Sequence, residues 1–144
     1  MSEADARARA IAETLLAREG TGPAWGIVIE DAREGYARVR MQVRADMLNG
    51  HAMTHGGMIF ALADSAFAYA CNSRDVSTVA QSATISFLAP SKLGDVLIAE
   101  ARETALVGRS GVYQISVKTS DDRAIAEFTG LSRSLGGPVL GRGD

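Results

Sequence analysis

The sequence predicts an α+β domain in which one antiparallel sheet of five to six strands curls round a single buried helix, with an extra helix at the N-terminus. Three observations carry this. Residues 58–72 are a run of good helix formers in which Asp64 is the only charge. A helix that is apolar all round belongs inside a core. Its alanines, Ala61, Ala63, Ala66, Ala68 and Ala70, let the backbone of a surrounding sheet approach closely. Four extended segments follow, and the connections between them are too short for the crossover of a dozen or more residues that parallel neighbours need.

Residues 4–19 place Ile11, Leu15 and Leu16 on one weak apolar stripe among alanines and charges, which predicts a helix packed on the outside of the domain. Gly20 and Gly22 stop it. Residues 25–30 and 36–43 have strand composition, the second with period-two alternation, and Arg33-Glu34-Gly35 reads as the turn between them. A polar, glycine-paired loop, Asn49 to Gly57, feeds the central helix. Residues 78–88, 96–106, 112–118 and 124–134 read as the remaining strands, and residues 136–144 as a flexible tail. The Arg-Gly-Asp triplet in that tail is taken as coincidence. No repeat or linker divides the chain, so residues 1–144 are expected to form one domain.

Length and composition bound the function. A chain of 144 residues that is 47% hydrophobic suits one domain with its own core. It has no apolar run long enough to cross a bilayer, so no membrane partner is expected. A net charge of −2 gives no general reason to expect nucleic acid, so any anion site must be local. Cys71 is the only cysteine, and the chain opens on the acidic Ser2-Glu3-Ala4-Asp5, unlike a secretory signal. Both favour a cytoplasmic setting.

The candidate chemistry lies in and before the central helix. Asp64 is costly inside an apolar helix, and desolvation should raise its pKa unless donors hold the ionised form. It suits a catalytic carboxylate, and also a structural ion pair across a subunit contact. Gly56 and Gly57 begin the helix, where free amide N–H groups at the positive end of the dipole form the geometry of an oxyanion hole. A glycine turn needed only for chain direction would look the same. Gly57 and Asp64 are seven residues apart, about 10 Å along a helix, too far to act on one reacting centre. If both act on one substrate, Asp64 comes from a second copy, so the reading predicts a homodimer with shared active sites. Asn49 could hold water or a carbonyl. His51 and His55 could anchor the loop, His55 with catalysis as an equal alternative. With one cysteine and no further histidine, no metal site is expected.

The string Leu48-Asn49-Gly50-His51 through His55-Gly56-Gly57, then Leu62-Ala63-Asp64-Ser65-Ala66-Phe67-Ala68-Tyr69-Ala70-Cys71-Asn72-Ser73, resembles the phenylacetate-degradation (PaaI-type) acyl-CoA thioesterases of the hotdog-fold superfamily. The likeness continues in residues 84–90 and 108–113. It implies a hotdog fold, with dimers paired into a homotetramer. It also implies Asp64 as the catalytic carboxylate, Gly56 as the oxyanion donor and Asn49 as an aid in placing water or the thioester. Some relatives carry a serine where this chain has Ala80 and Gln81, a departure that leaves the water-positioning group open.

The implied substrate is an acyl-CoA with an aromatic acyl group such as phenylacetyl or hydroxyphenylacetyl, and no separate cofactor, coenzyme A being part of the substrate. Gly108-Arg109-Ser110-Gly111 reads as a turn with exposed N–H groups and a guanidinium suited to a phosphate, with Lys92 behind it. A solvated charged turn is the alternative. Met53, Met58, Phe60, Phe67 and Gln81 are candidates for the acyl pocket, and the apolar ones also suit plain core. Two rivals stand beside hydrolysis: a hotdog acyl-CoA dehydratase or hydratase, which pairs a carboxylate with a following histidine that this chain lacks, and a catalytically silent acyl-CoA sensor.

Overall fold

The computed structural model describes residues 1–141. The chain opens with α1 (Glu3–Arg18), capped by Ser2, whose Oγ accepts from the Asp5 amide at 3.0 Å. Glu3 and Asp5 lie in the first turn, where negative charge complements the helix dipole. A short α2 (Thr21–Trp25) follows, then β1 (Val28–Arg33), β2 (Tyr36–Gln42), a 3-10 turn (Ala45–Met47) and α3 (Gly56–Cys71). The rest is β3 (Thr78–Phe87), β4 (Val96–Val107), β5 (Ser110–Thr119) and β6 (Ala124–Ser134). The six strands form one sheet in the order β1-β2-β4-β5-β6-β3, and every neighbouring pair is antiparallel.

α3 touches all six strands. Alternation along the strands explains why: Ala37, Val39 and Met41 of β2, Leu97, Ala99 and Ala101 of β4, and Tyr113, Ile115 and Val117 of β5 are all buried. They meet Ile59, Leu62, Ala63, Ala66, Phe67 and Ala70 of the helix in one core. Intervening residues such as Arg38, Arg40, Glu100 and Arg102 form ion pairs on the outer face. The helix wrapped by its sheet is the arrangement the hotdog resemblance implies. One strand stands apart. β3 ends the sheet, and most of its length is exposed on both faces in the protomer, Val79 and Phe87 at 45% and 54%.

Two expectations are corrected. Trp25 is not in a strand: Gly20 leads into α2, with Pro23 in its first turn where proline is tolerated, and Gly26 in the left-handed region (φ 67°) ends it. The closing segment is not a loose tail as far as Gly141. Asp75, itself at φ 65°, accepts the amides of Val139 and Leu140 at 2.9 and 2.8 Å, and Val139 is buried. Arg18 of α1 donates to the Val139 carbonyl at 3.3 Å. Residues 142–144 lie outside the described residues. No helix among the described residues is long and apolar enough to cross a membrane.

Candidate active site

The loop before α3 is built by short-range bonds. Asn49 Oδ1 accepts the amides of His51 and Met53 at 2.8 and 3.2 Å, an Asx turn that folds the loop on itself. Thr54 ties it to the β3–β4 connection through the Ser91 hydroxyl, 2.7 Å from its own. His55 is the N-cap: its Nδ1 accepts the Gly57 amide at 2.9 Å. The Gly57 N–H is therefore occupied, which corrects the expectation of two free amides. A side-chain acceptor at the cap satisfies one of the donors a helix start leaves unpaired. Among the described residues the Gly56 N–H has no such partner. A cleft of about 540 Å³ opens over it, lined by Asn49, Met53, Gly56, Ile59, Phe87 and Pro90 among others.

Asp64 belongs to a different cleft. Two turns along α3 it faces a space of about 440 Å³ bounded by Leu15 and Glu19 of the α1 end, Phe67 and Tyr69 of α3, and Val79 and Ala80 of β3. Among the described residues no hydrogen-bond donor or cation reaches its carboxylate. Burial first, then the negative charge of Glu19, push the Asp64 carboxyl above the usual carboxylate range. An unpartnered acid in an apolar cleft can take up and give back a proton, which a salt-bridged one cannot do readily. Eight residues separate Gly56 from Asp64, about 12 Å along the axis. One chain therefore presents a donor and a base, but not to the same atom.

Residues 51–126 match the thioesterase superfamily. Acyl-coenzyme A thioesterase PaaI of Escherichia coli K12 is 42% identical over 130 residues, spanning 90% of this chain and 93% of that protein. This chain belongs to the thioesterase superfamily. Among solved structures, the E. coli PaaI protein from the phenylacetic acid degradation operon superposes with a TM-score of 0.91 at 41% identity, over 93% of this chain and 97% of that one. A mutant of the phenylacetic acid degradation protein PaaI from Thermus thermophilus gives 0.78 at 36% identity, over 81% and 100%.

The remaining candidates of this thioesterase-superfamily chain divide. Met53 lines the Gly56 cleft and Phe67 the Asp64 cleft. Phe67 is also core, with Tyr113 and Phe128 at 5.4 and 5.9 Å between ring centres. Phe60 does not line either cleft and packs edge-on against Phe128 at 5.1 Å. Gln81 is an exposed residue where the β3–β6 register shifts, and Ala80 rather than Gln81 borders the Asp64 cleft.

The phosphate reading of the β4–β5 turn is corrected in part. Ser110 and Gly111 are paired within β5 on both sides, so the turn is Gly108 and Arg109 alone. A Cβ on Gly111 would lie 2.8 Å from both Ser132 Oγ and Tyr113 Cε1, so glycine there serves packing. Arg109 borders a small space of about 110 Å³ with Cys71, Arg74 and Ser134, at the C-terminal end of α3. Lys92 follows Ser91, which is tied to Thr54 near the other end of the helix, and does not stand behind Arg109. Sequence reasoning misses Glu19 and Tyr69. Glu19 carries no local signal, because only the docking of α1 on α3 brings it to the cleft, and Tyr69, already on α3, gains its role only from the Glu19 it meets there.

Proposed function

We propose that this protein hydrolyses acyl-CoA thioesters, in a dimer whose two active sites are each assembled from both chains. The observation that carries it is Asp64: a carboxylate without a partner, raised by burial, in an apolar cleft on the central helix of a thioesterase-superfamily domain. The separation of Asp64 from Gly56 supports the dimer, and so does β3. An uncovered edge strand of ten residues with apolar side chains on show is a template for pairing. A two-fold axis beside that edge runs the two copies of α3 antiparallel and carries each Asp64 toward Gly56 of the partner subunit.

In this arrangement the thioester carbonyl oxygen rests on the Gly56 N–H, whose stabilisation of the developing charge is worth roughly 2.7 to 4 kcal/mol in comparable sites. Asp64 removes a proton from water as its oxygen bonds to the carbonyl carbon. The carbon–sulfur bond then breaks, and the thiol of coenzyme A leaves with a proton. Attack by the carboxylate itself, through a mixed anhydride that water later opens, is the other route. Single-turnover hydrolysis in ¹⁸O water separates them: label in Asp64 requires the anhydride.

The E. coli relative is an acyl-CoA thioesterase, and two solved relatives bear the name PaaI with phenylacetic acid degradation. That supports an arylacetyl group as the acyl moiety; a cytoplasmic location and a tetramer made of two such dimers are part of the same proposal. A thiol-trapping assay over a panel of acyl-CoA esters tests the proposal. Release of free thiol by the wild type, lowered by orders of magnitude in Asp64→Asn while the dimer persists, supports it. Tight binding of intact thioester without release marks a sensor, and a variant with near-normal turnover removes Asp64 from the mechanism.

A further inference from the structure

One wall of the Asp64 cleft comes from the end of α1, outside the residues that match the superfamily. Glu19 is where that helix stops: its backbone has turned extended (φ −84°, ψ 146°). Its side chain turns inward and accepts a hydrogen bond from the Tyr69 hydroxyl, while its other oxygen takes the Thr21 hydroxyl at 3.4 Å. The following turn is shaped round this posture. A Cβ on Gly22 would lie 3.2 Å from Glu19 Oε1 and 2.1 Å from Leu16 Cδ1, so a side chain there would displace both.

We propose that Glu19, pinned by Tyr69 on the wall of the same cleft, is a positioning residue that sets the charge around Asp64. The proposal rests on Asp64 being the acting carboxylate. Two carboxylates sharing a poorly solvated space oppose each other's ionisation. A base is most effective when its proton affinity approaches the working pH. Tyr69 commits its single proton to Glu19, and burial with that neighbouring charge keeps the phenol protonated, so Glu19 stays fixed and Asp64 gains no donor from Tyr69.

Four other ionisable groups enter. Arg18 of α1 lines the cleft but directs its guanidinium to the Val139 carbonyl. Tyr69 and Cys71 stand on α3 itself, the thiol pushed up to about 12 by burial and then by Asp64. β3 presents Thr78, Val79 and Ala80, none ionisable. In the proposed dimer His55 of the partner subunit is the fourth.

The test is carboxyl ¹³C NMR titration of Asp64 in the intact protein, alongside the pH profile of kcat/KM, for wild type, Glu19→Gln and Glu19→Asp. Gln keeps the size and the acceptor for Tyr69 and removes the charge; Asp keeps the charge. The expected result is that Glu19→Gln moves both the Asp64 titration and the acid limb to lower pH, while Glu19→Asp stays nearer wild type. An Asp64 titration indifferent to Glu19→Gln, or shifted equally by both variants, overturns the proposal, as does an acid limb that stays in place while the Asp64 titration moves. The titration needs no turnover. Failure of the hydrolase reading therefore shows in the rate assay, and failure of the Glu19 role shows in the spectrum.

Discussion

Gly130→Ala tests whether the core beneath the Asp64 cleft is packed as described. Gly130 is a buried residue of β6, paired with Tyr113 on one side and Ala83 on the other. A Cβ there would lie 2.6 Å from Cε2 and Cζ of Phe67 and 2.9 Å from Cδ2, about 1 Å inside ordinary carbon contact. The ring has little room to retreat, being 1% exposed and held between Tyr113 and Phe128. Overpacking of this kind costs about 1–3 kcal/mol. The stiffer unfolded chain returns about 0.4–1 kcal/mol, for a net loss centred on about 1.3 kcal/mol. For a domain of this size each kcal/mol is worth about 3 °C, so Tm falls by about 4 °C. Calorimetry at fixed protomer concentration reads it, since any dimer makes Tm concentration-dependent. Phe67→Leu in the same chain should recover part of the loss, a coupling that a double-mutant cycle isolates. A Gly130→Ala protein that melts at or above the wild-type temperature would refute the described packing.

Two further outcomes follow from the same geometry. Asp64→Asn should stabilise the fold at neutral pH while abolishing activity. A carboxyl whose folded pKa is raised above the ordinary 3.8 opposes folding increasingly as pH rises from that ordinary value through the raised one. The melting advantage of Asn should therefore vanish below about pH 3.8, and equal melting at neutral pH would contradict the desolvated carboxylate. His55→Ala removes the acceptor for the Gly57 amide and should cost about 1 kcal/mol. His55→Asn, which can still cap, should restore the urea midpoint, and a midpoint unmoved by His55→Ala would dismiss the cap.

What can be read from sequence is what is encoded locally. The apolar run after Gly56-Gly57 announces α3, and short connections force antiparallel strands, so both are legible without tertiary information. Trp25 misleads because Trp-Gly-Ile-Val-Ile has strand composition, while the helix it closes is only five residues long. Ser110 and Gly111 look like turn residues, and only the register of β4 against β5 assigns them to the ladder. The docking of Val139 depends on a carboxylate 64 residues earlier, and the posture of Glu19 on a tyrosine 50 residues later. No periodicity encodes such distant partnerships. Of the candidate site, Asp64 and Gly56 stand out because an acid in an apolar helix and a glycine pair at its start are anomalies visible in a single chain.

The clasp between Asp75, Val139 and Arg18 also bears on biosynthesis. α1 is held by a residue 121 positions further along the chain, and β3 waits for β6 before it has any strand neighbour in its own chain. A nascent chain emerging N-terminus first can pair β1 with β2 early, but the clasp that holds the end of α1 closes only once Val139 has been made. Stalled or truncated products would present an apolar helix with part of its wrapping missing, which makes them natural clients for chaperones.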